Sequence, residues 1–466
     1  MLRALDKQDS LTGNQYRLMI ASCFGVMLEF LDYFLIGFIL TFLATPWHLT
    51  FGISAIILLS SGVGAIIGAF MFGHLADRIG RRKIFLTTVA TFSVAMLALI
   101  FTPEARDPGW LYLTACRFVI GLGVGGLYCV SLPLVQEFVP TRMRGVMSGV
   151  VTATVPLGLL TGSVMVAFLE PIVGGWRPLM GVCVALSLLT FFMLAWIPES
   201  PRWLISRSEN EKARRSIAWA LETDPKTLPL TSHVPAAPHV PFSALFHHPR
   251  RLIVSCVTNL GVQTGYYGLA LWAPSLIVLL LHATPKQAAF YMIFATLSAF
   301  VGRFVISILS ELMGRRAAGT LVCAMAGIML AGMGLFVHQM EGNVLAVVLP
   351  LMATFFFGDG CFAIAGPYSA EVWPSGLRTT GMGAAYGFGG IGKIIGPLGL
   401  AVVVGTSLTL TPKPGEIPIN AAFTYFAVWY FLAAATYWLC KVETKGQSIE
   451  AIDEALSTAG GSRAAE

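Results

Sequence analysis

The chain has 466 residues, 56% of them hydrophobic and only 12% charged, with a mean hydropathy of +0.75. A water-soluble domain of this length needs no such apolar excess for its core, so the composition excludes a soluble enzyme or binding module and makes the chain membrane-embedded. The net charge of +6 then reports topology, not affinity for nucleic acid.

The first 16 residues are polar and lead into the apolar stretch α1 (17–44), which carries two acids. A cleavable signal has a short charge-free core, so α1 is expected to stay in the mature protein. Crossing ~30 Å of hydrocarbon takes about 20 residues. Stretches of that size follow as α2 (54–74), α3 (84–103), α4 (111–138), α5 (145–169) and α6 (177–197), and after a polar interval as α7 (252–281), α8 (287–310), α9 (317–338), α10 (344–370), α11 (379–406) and α12 (420–440). The expected fold class is all-α integral membrane, with 12 transmembrane helices in two six-helix halves, 1–197 and 252–445. Residues 198–251 form the linker, opening with an amphipathic helix near 208–221 and loosening through five prolines, and 446–466 form a tail. Lys and Arg resist translocation. With the N-terminus inside, 23 of the 30 cations fall in inner loops and termini, four fall outside (Arg106, Arg177, Lys286, Lys413) and three lie within helices. Both termini are therefore expected on the cytoplasmic side of a plasma or inner membrane. The eight cysteines lie in predicted helices without paired spacing or accompanying histidines, which implies neither a disulfide frame nor a metal site.

The sequence repeats itself at an offset of 234 residues. PLVQEFVPTRMR holds Pro133, Glu137, Pro140 and Arg144, and PYSAEVWPSGLR holds Pro367, Glu371, Pro374 and Arg378 at the matching places. Asp77, Gly80, Arg81 and Arg82 fall on Glu311, Gly314, Arg315 and Arg316, while Gly149, Gly158 and Gly162 fall on Gly383, Gly392 and Gly396. A charged motif duplicated in an apolar chain is how two-halved transporters are built. Gly80 permits a tight turn that leaves Asp77 at a helix end and Arg81 and Arg82 at the water boundary. These charges serve either as plain positive-inside anchors or as paired opposite charges at the inner helix ends.

The motifs resemble the major facilitator superfamily over nearly the whole chain, in its sugar-porter-like and organic-ion-transporter-like branches. GHLADRIGRRK at 73–83 is similar to the signature between helices 2 and 3, RFVIGLGVGG at 117–126 to the start of helix 4, and PESPRWL at 198–204 to the sugar-porter signature. VETKGQSIEAI at 442–452 is similar to the PETKG motif, with Val442 in place of proline. The resemblance implies an inner gate made by Asp77, Arg81, Arg82, Glu137 and Arg144 with their repeat partners Glu311, Arg315, Arg316, Glu371 and Arg378.

Ionisable residues at membrane depth cost about 2.5–3.5 kcal/mol each and are functional candidates by default. There are six: Glu29 and Asp32 on α1, Arg117 on α4, Arg303 on α8, Asp359 on α10 and Lys393 on α11. Glu29 and Asp32 are three apart and share a face. Burial and like charge oppose ionisation of such a pair while Arg117 favours it, which makes a proton site. The resemblance agrees, since proton-coupled sugar porters carry an acid in helix 1 and an arginine in helix 4. The E-x-x-D spacing is also similar to the paired acids of aromatic-acid:proton symporters, from which Glu29 and Phe30 depart. Counting from the loop motifs at ~1.5 Å per residue puts Asp359, Lys393 and Arg303 roughly 18, 22 and 18 Å from the inner boundary. Asp359 is either a tie that neutralises one cation or part of the site, and the extra positive charge suits an anionic substrate. At the repeat positions of Glu29 and Asp32 stand Gln263 and Tyr266, followed by Tyr267 and Trp272, all expected to line the cavity. The glutamine-rich helix 7 pattern of sugar porters is missing.

These readings converge on a secondary transporter that moves a small organic acid, aromatic among the candidates, by alternating access with proton symport. A sugar or polyol porter, a proton-driven exporter and a non-transporting sensor are the rivals. The sequence has no G-x-x-x-x-G-K-[ST] for a nucleotide-driven pump and no catalytic constellation, so no enzyme and no cofactor beyond the coupling proton are expected. The expected partners are the solute, protons and the bilayer.

Overall fold

The computed structural model describes residues 2–6, 8, 10–229, 242–373, 377–410, 418–440 and 443. Within its helices the side chains of Asp77, Arg144 and Arg378, among others, lie outside the description. The described residues are nearly all helical, and twelve helices are long and apolar enough to cross a membrane. They are α1 (Gly13–Leu43), α2 (Phe51–Ile79), α3 (Arg81–Ile100), α4 (Arg106–Phe138), α5 in consecutive pieces from Arg144 to Val173, and α6 (Trp176–Ala195). The second set is α7 (Pro249–Leu281), α8 (Pro285–Met313), α9 (Arg315–Leu335), α10 (Val344–Glu371), α11 (Arg378–Val404) and α12 (Ile419–Cys440). Each begins and ends within about five residues of its predicted apolar run.

Local chemistry sets the boundaries. Gly80 and Gly314 separate α2 from α3 and α8 from α9 with φ of 122° and 94°, a conformation that glycine adopts without steric cost. Thr284 caps α8 by accepting from the Gln287 amide, with Pro285 in the first turn where no N–H is needed. Asn343 caps α10 in the same way through the Ala346 amide. The fifth helix is interrupted at Thr154, ahead of Pro156, and carries a π-helical turn at Met165–Leu169. The π turn is a single-turn bulge of the kind that interrupts longer α-helices.

The chain divides into two compact units. The first comprises Met1–Phe42 and Ile56–Ala236, and the second Leu43–Ala55 and Ala237–Glu466. The division falls inside the expected linker, and it assigns the connection between α1 and α2 to the second unit.

In the first unit the linker chain makes two helices, Pro201–Ser206 and Asn210–Leu221. The second holds the N-terminal approach to α1. The Thr12 hydroxyl donates to Ala220 O at 2.5 Å, the Asn14 amide side chain to Trp219 O at 2.8 Å, and the Asn14 backbone to Glu222 Oε1 at 2.9 Å.

Candidate functional site

In the first unit, α1 and α4 bring Asp32 and Arg117 together with both side chains 1% exposed. Arg117 Nη1 donates to Asp32 Oδ2 at 2.6 Å and to the Asp32 carbonyl at 3.4 Å. Arg117 Nε and Nη2 and Asp32 Oδ1 make no hydrogen bond among the described residues. The contact therefore uses one prong of a fork that can hold a carboxylate by two. Glu29, one turn earlier on the same face of α1, is also buried. It borders a small cavity with Leu28, Phe92, Val124, Ser187 and Thr190, which has room for about one water. The three residues read as a proton site thus occupy one neighbourhood, with Asp32 on the arginine and Glu29 beside it.

In the second unit, Arg303 of α8 grips Asp359 of α10 by two prongs, Nε to Oδ2 at 2.7 Å and Nη2 to Oδ1 at 2.8 Å. Asp359 is fully buried. Lys393 of α11 stands elsewhere, with its ammonium 4.7 Å from the centre of the Tyr267 ring, a cation–π distance. Aromatic rings join the two cations. Arg303 lies 5.6 Å from the Phe362 ring, and Phe362 meets Tyr266 and Tyr267 edge-on at 5.3 and 5.7 Å. Tyr266 also packs against Phe355 at 5.8 Å. Gln263 is buried against α11, so closely that a Cβ on Gly389 would fall 2.1 Å from its amide nitrogen. Its amide is taken up in packing α7 onto α11.

Trp272 stands apart from these rings. Its indole is fully buried, stacks on Phe51 at 5.1 Å and donates to Pro397 O at 3.3 Å. It belongs to a packed seam where α7, α11 and the chain after α1 meet, and it does not join the Tyr266–Tyr267 cluster. Phe362, which the sequence reading passed over, takes that place.

The loop charges pair within each unit. Arg81 Nη1 lies 2.7 Å from Glu137 Oε1, and Ser200 donates to Glu137 Oε2. The Glu137 carboxylate is buried near the end of α4. At the repeat position, Arg315 binds Glu371 at 3.2 Å and Glu311 at 2.5 Å. Arg82 donates to Ala195 O at 2.5 Å and Arg316 to Trp438 O at 3.0 Å. Of the expected gate residues, Asp77, Arg144 and Arg378 lie outside the described side chains.

Two further acids carry this arrangement and were not singled out from sequence. Glu199 Oε1 accepts from the Arg82 backbone at 2.8 Å, and Glu443 accepts from the Arg315 and Arg316 backbones at 2.9 and 3.1 Å. Each carboxylate caps the N-terminus of a helix, where exposed N–H groups and the helix dipole favour negative charge. A Cβ on Gly80 or Gly314 would strike these carboxylates at 2.4 and 2.8 Å. Glu199 lies in PESPR and Glu443 in VETKG, so the signal was present in motifs to which no role had been given. Glu199→Ala and Glu443→Ala should each cost about 1 kcal/mol of stability. Thermal unfolding of the purified variants checks this: both melt below the unmodified protein, whereas an exposed Lys226→Ala control does not.

Twelve spanning helices, with buried ion pairs at membrane depth in each unit, define a multi-pass integral membrane protein with the features of a solute carrier. Residues 18–456 match the family described as sugar (and other) transporter, and the chain belongs to that family, within the major facilitator superfamily of small-solute transporters. The chain is 27% identical to the niacin transporter NiaP of Acinetobacter baylyi over 94% of this chain and 96% of the relative. It is 26% identical to the cis,cis-muconate transport protein of the same organism over 72% and 74% of the two chains. The xylose transporter XylE from E. coli, in a partially occluded inward-open conformation, has the same fold with a TM-score of 0.72 at 16% identity, covering 94% of this chain and all of the other.

Proposed function

We propose that this transporter is a proton symporter for a small aromatic carboxylate, working by alternating access with both termini in the cytoplasm. The observation that carries the reading is the second-unit cluster, in which the Lys393 ammonium lies over Tyr267 beside Phe362 and Tyr266. Lys393, placed against this ring cluster, is the cation assigned to the carboxylate, and the rings offer faces and edges to a planar substrate. Relatives named for niacin and muconate, both carboxylates, support this class. Asp32, with Glu29 beside it, carries the proton, and Arg117 holds the deprotonated state. The burial of Gln263 in packing speaks against a hexose.

Lys393→Ala should raise the KM for nicotinate uptake by one to two orders of magnitude with a smaller change in maximal rate, as loss of a charge-assisted contact of about 1.5–3 kcal/mol implies. Lys393→Arg should recover part of it. Uptake of labelled nicotinate, benzoate and xylose into proteoliposomes is the test. Saturable xylose uptake with none of either acid would overturn the assignment.

A further inference from the structure

Cys323 of α9 and Cys361 of α10 meet inside the second unit with their sulfurs 3.4 Å apart. Both are free thiols, 0% and 2% exposed. Spacing along the chain does not pair them; the packing of α9 on α10 does. At this separation the sulfurs already touch, with no room between them for a metal ion. The bond open to the pair is the one between them, and a disulfide of ~2.05 Å needs the sulfurs only about 1.3 Å closer.

The surroundings give that small step a consequence. Near Cys361, α10 is also held by α8 and α12. A Cβ on Gly302 of α8 would fall 2.2 Å from Phe356 O, and one on Gly360 would fall 2.0 Å from Ile306 Cδ1, so glycines let α8 and α10 approach closely here. A Cβ on Gly358 would lie 2.5 Å from the buried Tyr430 hydroxyl of α12. Cys361 follows Asp359 by two residues and precedes Phe362 by one. A close-packed interior transmits strain instead of absorbing it. Drawing α10 toward α9 therefore disturbs Asp359 on Arg303 and Phe362 beside Tyr266 and Tyr267.

We propose that Cys323 and Cys361 are a paired oxidation site, which a small uncharged peroxide converts into a disulfide that slows transport. One thiol takes an oxygen from the peroxide and becomes a sulfenic acid, releasing one water. The second sulfur then displaces the hydroxyl, which leaves with the thiol proton as a second water. The two sulfurs give up two electrons and the peroxide takes them. The neighbouring thiol captures the sulfenic acid before it climbs to the irreversible sulfinic state. Burial selects the oxidant: it must be uncharged and about the size of water to reach sulfurs that solvent does not touch. The crosslink does not depend on the substrate reading above, whereas its effect on uptake is read through that substrate.

Two arms test it on the full chain in proteoliposomes. Hydrogen peroxide is added at a dose that oxidises the half-buried Cys23, remaining thiols are alkylated, and the peptides are weighed. Most of the protein should show the Cys323 and Cys361 peptides joined, two hydrogens lighter than their sum, and separated again by dithiothreitol. Unlinked Cys323 and Cys361 in protein whose Cys23 is oxidised would overturn the site. In the second arm, nicotinate uptake by the linked protein should fall at least fivefold and return with dithiothreitol. Cys323→Ala and Cys361→Ala should resist the peroxide, while Cys256→Ala should respond as the unmodified protein does. Full uptake by linked protein, or an equal loss in both resistant variants, would overturn the effect on transport. If the unmodified protein moves no nicotinate, the substrate reading fails and the mass arm still decides the site.

Discussion

Asp32→Asn should abolish concentrative uptake while leaving exchange of substrate across the membrane in place. The expectation follows from one buried contact, Asp32 Oδ2 on Arg117 Nη1 at 2.6 Å with both side chains 1% exposed. A carboxylate there is held by the guanidinium; a protonated carboxyl releases it. A pH gradient of one unit is worth about 1.4 kcal/mol per proton, enough for about tenfold accumulation. Asparagine keeps the shape and a hydrogen-bonding oxygen but cannot carry the proton, so accumulation should fall to a ratio of about one. Counterflow, in which labelled substrate outside exchanges for unlabelled substrate inside, needs no net proton movement and should persist. Glu29→Gln tests its neighbour: a shift in the pH profile with concentrative uptake retained would give Glu29 a tuning part, and loss equal to that of Asp32→Asn would make the two acids one unit.

Asp359→Ala should be the most destabilising single change in the second unit. Arg303 is bonded to both carboxylate oxygens of Asp359, and the aspartate is fully buried. Removing one partner of a buried pair leaves an uncompensated charge and costs about 3–5 kcal/mol, whereas replacing both by apolar residues is often neutral. The Arg303→Met/Asp359→Leu double variant should therefore recover much of the thermal stability lost in Asp359→Ala. Its transport then separates the two readings of Asp359 left open by the sequence. Near-normal KM for nicotinate makes the pair a tie between α8 and α10 that holds Phe362 in place. Lost binding in a stable double variant would make it part of the substrate site.

Much of the architecture was legible because membranes impose length. Apolar runs of about 20 residues and the 234-residue repeat define twelve helices without reference to any contact. Depth was legible too: counting residues from the loop motifs puts Arg303 and Asp359 at one height, and they are bonded. Counting gives height along a helix and not the direction in which a side chain points, which is why Trp272 was grouped with Tyr266 and Tyr267 although it stacks on Phe51, and why Phe362 was missed. Glu199 and Glu443 escaped the repeat because they stand 244 residues apart, outside the 234-residue register. The backbone pairing of Leu49, Phe51 and Gly52 with Thr406, Leu408 and Leu410 was invisible for another reason: it is made by N–H and C=O groups, which every sequence carries, so nothing in LTFG or TSLTL announces it.

The most direct test of proton-coupled carboxylate transport is to add nicotinate outside proteoliposomes that hold a trapped pH-sensitive dye and no imposed gradient. The account predicts acidification of the lumen in step with nicotinate entry, saturable, absent in Asp32→Asn and weakened in Lys393→Ala. Nicotinate entry with no change in lumenal pH would contradict it.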